Sequence, residues 1–225
     1  MIPWELLDTR RTPDGNHDLT LHQRDQEYSI RIDRKELMNS RQHGSEEALA
    51  TLAKSAIAGL QRPRILVGGL GMGFTLRAAL ASFPARSSIE VAELMSAVVE
   101  WNQGPLGHLA DHPLSDPRVF LRVGDICDLI SSSRDHYDAI LLDVDNGPDG
   151  LTQSSNQWLY SRDGLACIRA ALHTKGVLAV WSASDDAAFS KRLRAANFKA
   201  ETHKVRARRN KKGARHIIWL AARDW

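Results

Sequence analysis

Apolar and polar residues alternate between positions 17 and 33, and a period of two is typical of β-strands. The polar run Arg24-Asp25-Gln26 interrupts the alternation and predicts the turn of a small β-hairpin. From Ser45 onwards the apolar positions recur at helical spacing, which predicts a helix with Ser45 as its N-terminal cap. We therefore expect a small hairpin and a helix ahead of the main domain. The alternating apolar positions are Leu19, Leu21, Tyr28, Ile30 and Ile32.

Strands and helices alternate from Arg64 onwards. Short apolar runs, such as Ile89-Glu-Val-Ala and Tyr137-Asp-Ala-Ile-Leu-Leu, are followed by helical patterns. Such β/α steps predict right-handed crossovers and a parallel sheet. The rhythm changes near the C-terminus, where strand-like runs over 199–208 and 214–222 are joined by a short connection. Because parallel neighbours need a crossover of about a dozen residues or more, these two runs are expected to be antiparallel.

These patterns together predict an α/β protein with a doubly wound, mostly parallel, seven-stranded sheet and a C-terminal antiparallel hairpin. Five β/α steps closed by such a hairpin fit the Rossmann-like class I methyltransferase fold better than the dehydrogenase variant. We expect a reduced N-terminal hairpin region and linker over residues 1–44, followed by the main domain over residues 45–225.

Composition places the chain among ordinary globular proteins. Its 225 residues are 43% hydrophobic and 25% charged, which is enough for a core that needs no disulfide or metal. The cysteines Cys127 and Cys167 lack the spacing of a zinc site, so we expect no metal. No run approaches the ~20 apolar residues of a membrane span, and no signal-peptide pattern is present. The expectation is a soluble, cytoplasmic protein.

A glycine-rich turn, Gly68-Gly69-Leu70-Gly71-Met72-Gly73, follows the first strand of the β/α series. In open α/β sheets this turn approaches the ligand closely, and glycine permits the positive φ that the approach requires. Phe74 stands where a dinucleotide-binding fingerprint has glycine or alanine, which argues against NAD. The candidate cofactor-binding residues of the turn are Gly68, Gly69, Leu70, Gly71 and Gly73.

Carboxylates end three successive strands. Glu93 lies about 20 residues after the turn, where a carboxylate can accept hydrogen bonds from both ribose hydroxyls. Asp125 ends the third strand, where its side chain and the neighbouring Ile126 backbone can bind an adenine, and Asp143 ends the fourth. A single such acid is as readily explained as a helix cap. Three of them on one edge of a sheet predict an adenosyl site.

From about Arg41 to the C-terminus, the chain resembles the spermidine-synthase-like branch of class I S-adenosylmethionine-dependent transferases, which includes the polyamine aminopropyltransferases. The resemblance implies S-adenosylmethionine, or its decarboxylated form, as the cofactor. It also implies that Glu93 holds the ribose, that Asp125 holds the adenine, and that Asp143 holds the nucleophile and accepts its proton. The segments that carry it are Ile65-Leu-Val-Gly-Gly-Leu-Gly-Met-Gly, Val91-Ala-Glu-Leu, Val123-Gly-Asp-Ile and Tyr137-Asp-Ala-Ile-Leu-Leu-Asp.

The same resemblance supplies candidate substrate-binding residues. Gln42 and His43 lie in a segment that resembles the linker between the family's N-terminal domain and its core. Asp145 and Asn146 stand near the position of the family's second substrate-side carboxylate. Apart from the resemblance, Trp158 and Tyr160 follow at helical spacing; Tyr160 is a candidate for covering the substrate, although aromatic residues at such positions more often belong to the core.

One position of the glycine turn departs from the family. Aminopropyltransferases carry an aspartate that recognises the free amine of the decarboxylated donor, and this chain has Gly71 there. Without that carboxylate, a donor that keeps its own carboxylate is no longer repelled. The departure favours transfer of a methyl or related alkyl group from intact S-adenosylmethionine to a small, amine-bearing acceptor. The alternative is aminopropyl transfer, and a second alternative is a nucleoside- or RNA-binding protein without catalysis.

Basic residues cluster over 204–216, at the turn of the terminal hairpin. We favour a solvated turn, because no aromatic side chain lies among these charges to stack on single-stranded RNA. Phosphate contacts with RNA are the alternative, and the net charge of +3 favours neither interpretation. The resemblance further implies a homodimer.

Overall fold

The fold is described from a computed structural model, which covers residues 2–144, 154–207 and 213–223. The chain begins with a four-stranded antiparallel sheet, whose strands pair in chain order. The predicted hairpin is confirmed as the centre of this sheet, and Asp25 in its turn has a φ of 53°. The four strands are β1 (Glu5–Arg11), β2 (Asp18–Arg24), β3 (Glu27–Ile32) and β4 (Lys35–Asn39).

The N-terminal region is larger than the predicted small hairpin, because β1 and β4 extend it on both sides. Neither outer strand buries an alternate set of apolar residues, so the hydrophobic pattern gives no signal for them. Two contacts attach β1 to the main domain. The Trp101 indole donates a hydrogen bond of 2.9 Å to Asp8, and Arg10 donates one of 2.9 Å to Glu100.

The main sheet has the predicted seven strands. They are β5 (Arg64–Gly68), β6 (Ser88–Glu93), β7 (Val119–Val123), β8 (Tyr137–Leu142), β9 (Leu172–Ser182), β10 (Phe198–Arg206) and β11 (Arg215–Arg223). Their order across the sheet is β7-β6-β5-β8-β9-β11-β10. The first five of these strands are parallel, and β11 pairs antiparallel with both β9 and β10. The predicted mostly parallel sheet with a C-terminal antiparallel hairpin is confirmed.

Helices connect the strands and cover both faces of the main sheet. They are α1 (Gly44–Ala56), α2 (Phe74–Ser82), α3 (Ser96–Gln103), α4 (Ile126–Ser132), α5 (Ser154–Leu159), α6 (Arg162–Ala171) and α7 (Ala187–Ala195). The predicted cap of α1 is wrong. His43 is the N-cap residue and makes no side-chain capping bond, whereas Ser45 lies fully buried inside the first turn.

Two apolar cores lie on opposite faces of the main sheet. In β5, Ile65 and Val67 belong to the core that includes α1, α2, α3 and the N-terminal sheet, while Leu66 belongs to the other core. In β8, Leu141 belongs to the first of these cores and Ile140 to the second. The central strands β5 and β8 are buried on both faces, and for this reason they are apolar over most of their length rather than alternating.

The order of the strands places a crevice between β5 and β8. From β5 the chain continues to β6 and β7 on one side, and then returns to β8 and β9 on the other. The loops after β5 and β8 therefore diverge, and open α/β sheets bind their ligands at this point, beyond the carboxyl ends of the strands. Two of the predicted site segments, the glycine turn and Asp143, follow β5 and β8.

None of the helices within the described residues combines the length and the apolar character that crossing a bilayer requires.

Candidate functional site

The glycine turn after β5 is built for a close approach of backbone segments. Gly69 has a φ of 86°, and a Cβ at this position would collide with the carbonyl oxygen of Asp143. The Gly69 amide donates to Ala92 O at 2.9 Å, and the Asp143 amide donates to Gly68 O at 2.9 Å. These bonds join the turn to the ends of β6 and β8. Glycine is required at position 69 for both its dihedral angle and its lack of a side chain.

Glu93, at the end of β6, is buried and accepts two backbone hydrogen bonds. Leu70 N donates to one carboxylate oxygen and Met95 N to the other, each at 2.9 Å. Glu93 also lines the cavity described below, where a carboxylate oxygen can accept from a ligand hydroxyl as well as from an amide. Burial raises the pKa of Glu93, and the backbone amides oppose this shift.

Asp125 and Ile126 lie where β7 leads into α4. The Asp125 side chain caps α4 by accepting a 2.8 Å hydrogen bond from Cys127 N. It also faces the cavity described below, together with Ile126. The cap and the cavity wall are compatible, because a capping carboxylate keeps acceptor sites for a second donor.

A cavity of about 210 Å³ lies against these residues, between the carboxyl edge of the main sheet and the N-terminal sheet. The N-terminal sheet supplies an apolar wall, and the loops after β5, β6, β7 and β8 supply the opposite one. The side chains of the apolar wall are Leu19, Ile30, Ile32, Leu37 and Met38. The N-terminal region thus completes the site, which is a function that its hydrophobic pattern alone does not indicate.

Asp143, directly after β8, faces the cavity and is held by Thr75 of α2. The Thr75 hydroxyl donates a 2.6 Å hydrogen bond to Asp143 Oδ2. Burial raises the pKa of Asp143 from its ordinary 3.8 to about 6, and the Thr75 bond opposes this rise. A carboxylate with a pKa in this range can act as a base near neutral pH.

Glu46 of α1 is a further carboxyl group in the cavity wall, and it is not among the site residues predicted from the sequence. It is buried, and the pKa of its carboxyl is raised from 4.5 to about 8 by burial and by the charge of Asp143. Two adjacent acids, Glu46 and Glu47, open the helix, where carboxylates commonly stabilise a solvated helix N-terminus. The only distinguishing signal in the sequence is the apolar spacing of α1, which sets its buried face. Glu47 instead pairs with Arg77 at 2.9 Å.

Met38 of the N-terminal sheet occupies the space in front of Gly71. A Cβ on residue 71 would lie 2.8 Å from Met38 Cε, and Gly71 has a φ of 52°. A larger residue at this position would therefore need both a strained backbone and a displaced Met38. The side of the cavity where the resembled family has an aspartate is apolar here.

Several predicted site residues have packing roles in the structure. Gly68 faces the Ile126 side chain, and Gly73 is the N-cap residue of α2 with a φ of 80°. His43 stacks on Phe74 with ring centroids 4.5 Å apart, which turns it away from the cavity wall.

The other predicted substrate residues fall into two groups: two do not line the cavity, and two lie outside the described residues. Gln42 does not line the cavity in the part of the chain that the structure describes, and neither does Tyr160. Tyr160 packs edge-on against Phe189 and donates a hydrogen bond to Val144 O at 3.3 Å, so it supports the loop behind the wall. Asp145 and Asn146 fall outside the described residues, as do residues 208–212 of the basic segment over 204–216.

The ionisable side chains in the described part of the cavity wall are all acidic. Among the described residues that line it, four carry carboxyl groups and none is Lys or Arg. An uncompensated group of carboxyl side chains attracts cations and raises the cost of placing an anion beside them. The four acidic residues are Glu46, Glu93, Asp125 and Asp143.

No protein-family model matches the sequence, and no curated protein matches it either. Solved structures match the fold over 97% of the chain. The spermidine synthase of Thermotoga maritima has a TM-score of 0.76 at 14% identity, with 72% of that chain covered. A spermidine synthase in complex with the transition state analogue AdoDATO has a TM-score of 0.75 at 14% identity and 72% coverage. A probable spermidine synthase from Corynebacterium glutamicum has a TM-score of 0.68 at 15% identity and 79% coverage.

These matches define the class of the fold. The chain has the α/β fold of class I methyltransferases in the form found in spermidine synthases, with a small antiparallel sheet ahead of the main domain. The resemblance inferred from the sequence motifs is confirmed at the level of fold.

Proposed function

We propose that this protein is a transferase of the aminopropyltransferase type, which moves an aminopropyl group from decarboxylated S-adenosylmethionine to an amine. The single observation that carries the proposal is the acidic character of the cavity wall. Its described residues present carboxyl groups to a donor that carries a sulfonium and an ammonium, and they present no Lys or Arg to a donor carboxylate. This reverses the order of preference drawn from Gly71 alone.

The adenosyl end of the donor is assigned to the loops after β5, β6 and β7. Glu93 lines the cavity where its carboxylate can accept from the ribose hydroxyls, and Asp125 lies beside Ile126 where an adenine amino group can donate. The fold supports this assignment, because a solved structure of the same fold holds AdoDATO, a transition state analogue.

The reactive end of the donor is assigned to Asp143 and Glu46. An amine with an ordinary pKa near 10 is protonated at neutral pH and must lose a proton before it attacks the carbon next to sulfur. Asp143, with a pKa raised to about 6, is ionised at neutral pH and accepts that proton. The apolar wall from the N-terminal sheet excludes water and places the acceptor in line with the sulfonium.

A second candidate function is transfer of a methyl or related alkyl group from intact S-adenosylmethionine. The observation that favours it is Gly71, which leaves the cavity without the donor-selecting aspartate and has the apolar Met38 in front of it. A carboxylate on the donor would meet no negative charge at that point.

Calorimetric titration with the two donors distinguishes these functions. We expect the decarboxylated donor to bind at least about tenfold more tightly, a difference of about 1.4 kcal/mol. A transfer assay with short diamines should then release methylthioadenosine. Tighter binding of intact S-adenosylmethionine, with release of S-adenosylhomocysteine, would establish the second candidate. Binding of neither donor would exclude both.

A further inference from the structure

Ser45 joins the cavity to the outer part of the main sheet through its hydroxyl group. The hydroxyl oxygen lies 2.7 Å from Glu46 Oε2 and 2.8 Å from His216 Nδ1 on β11. Ser45 is fully buried, Glu46 is 8% exposed and His216 is half-buried. A hydroxyl carries one hydrogen, so it donates to one of these partners and accepts from the other. The three groups form an unbroken hydrogen-bonded chain from the cavity wall towards solvent.

The hydrogen bonds of Ser45 to Glu46 and His216 do not cap the N-terminus of α1. The N-cap residue is His43, and the Ser45 hydroxyl makes its two bonds to side chains rather than to the free amides of the first turn. His216 is also fixed by packing, because its ring lies edge-on to Trp181, a cavity residue, with centroids 4.8 Å apart. The two end groups of this hydrogen-bonded series, Glu46 and His216, are therefore both positioned by the part of the fold that forms the cavity.

The charged groups around Glu46 favour a protonated carboxyl in the resting protein. Asp143 faces it from the end of β8, and Glu47 lies beside it on α1, paired with Arg77 of α2. His216 is the titratable group on the β11 side, and burial lowers its pKa. In the structure the Ser45 hydroxyl donates to Glu46 Oε2. With Glu46 protonated and His216 neutral, rotation of this hydroxyl lets Glu46 donate to Ser45 and Ser45 to His216 Nδ1. This arrangement points the hydrogen bonds outwards.

The proposed reaction produces one proton for each turnover. A protonated amine gives a proton to the carboxylate of Asp143, and the free amine forms a bond to the carbon attached to sulfur. The carbon–sulfur bond breaks with its electron pair on sulfur, which leaves a neutral thioether and a secondary ammonium product. The proton on Asp143 must leave the cavity before the next acceptor can be deprotonated.

We infer that Glu46, Ser45 and His216 carry this proton from Asp143 to solvent. The inference rests on the proposed function for the source of the proton, and on the three side chains for its path. Asp143 and Glu46 line the same cavity, so water in the cavity can carry the proton from Asp143 to Glu46. Glu46 passes its own proton to Ser45, Ser45 passes its hydrogen to His216 Nδ1, and His216 releases its Nε2 proton to solvent. Rotation of the Ser45 hydroxyl and of the His216 ring then restores the starting state without uptake of a proton. Glu46 lines the cavity that holds the substrate, whereas Ser45 and His216 are positioning residues that act through Glu46.

Kinetic analysis of Ser45→Ala and His216→Ala tests the path in the full-length protein. We expect kcat to fall about tenfold or more in both variants, while KM and the donor Kd change by less than about twofold. Imidazole in the buffer should restore kcat of His216→Ala in proportion to its concentration, but should not restore Ser45→Ala. The matched control is Ser87→Ala, which removes another buried hydroxyl, bonded to Pro84 O outside the cavity. Unchanged kcat in both relay variants, or equal losses in Ser87→Ala, would overturn the inference.

Nuclear magnetic resonance of the His216 ring tests the same path without turnover. In the wild-type protein the ring nitrogens should report neutral His216 with its hydrogen on Nε2, and they should respond to the titration of Glu46. Ser45→Ala and Glu46→Gln should each abolish that response. If His216 responds to the titration of Glu46 but the protein transfers no group, the proposed function is refuted and the proton path stands. Transfer activity without the coupling would refute the path alone.

Discussion

The substitution Glu46→Gln should stabilise the protein at high pH and have little effect at low pH. Burial and the charge of Asp143 raise the pKa of Glu46 from 4.5 to about 8. Between these values the unfolded chain has lost the proton and the folded protein still holds it. The stability that depends on this proton is therefore fully present below pH 4.5, and it is lost as the pH rises towards 8. Glutamine resembles the protonated form and has no proton to lose.

The size of the effect follows from the same pKa difference. Each pKa unit corresponds to about 1.4 kcal/mol, so a rise from 4.5 to about 8 amounts to about 5 kcal/mol at high pH. Part of this energy is repulsion between Glu46 and Asp143 and belongs to the titration of the pair. For the single substitution we expect an increase of about 2 to 4 kcal/mol in the free energy of unfolding near pH 9.

Urea unfolding at about pH 5, 7 and 9 measures this difference. The control is Glu201→Gln, which removes a carboxylate that is 65% exposed on β10 and should show no comparable pH dependence. The reasoning is refuted if Glu46→Gln changes the free energy of unfolding equally at about pH 5 and 9, because Glu46 would then ionise alike in both states.

Three further outcomes are expected. Asp143→Asn should cut turnover by about a hundredfold or more and keep the donor Kd within a few fold, as measured by stopped assays and calorimetry, whereas the exposed Asp163→Asn should leave both unchanged. Gly69→Ala should lower the free energy of unfolding by about 2 kcal/mol or more, because the residue needs a φ of 86° and its Cβ would meet the Asp143 carbonyl; an unchanged urea midpoint would contradict this. Glu93→Gln should weaken donor binding about tenfold or more in calorimetry, because its amide nitrogen cannot accept from a ribose hydroxyl or from the backbone amides of Leu70 and Met95; donor binding at wild-type strength would remove Glu93 from the site.

The hydrophobic pattern of the sequence was sufficient to predict the strands of the main sheet. The central strands β5 and β8 are buried on both faces, β10 and β11 pair as an antiparallel hairpin, and both arrangements produce strong local signals. The outer strands β1 and β4 give no such signal, because they are exposed and are held by pairing and by contacts such as that between Trp101 and Asp8. Strand pairing of this kind depends on residues far apart in the chain.

The candidate site divides in a similar way. Gly69, Glu93, Asp125 and Asp143 were predicted as site residues from the sequence, since each lies at the end of a strand, and all four line the cavity. His43 was assigned by resemblance to a linker, and in the structure it stacks on Phe74 instead. The sequence position of a linker residue does not set the direction of its side chain.

The sequence by itself determined the order of the elements, the parallel sheet and the acidic residues at its carboxyl edge, because these depend on local periodicity and on strand ends. Only the tertiary structure decided that the N-terminal sheet closes the cavity and that Met38 fills the space before Gly71. It alone placed Glu46 beside Asp143 and joined it to His216 through Ser45. These residues are distant in sequence, and the packing of α1 on the sheet brings them together.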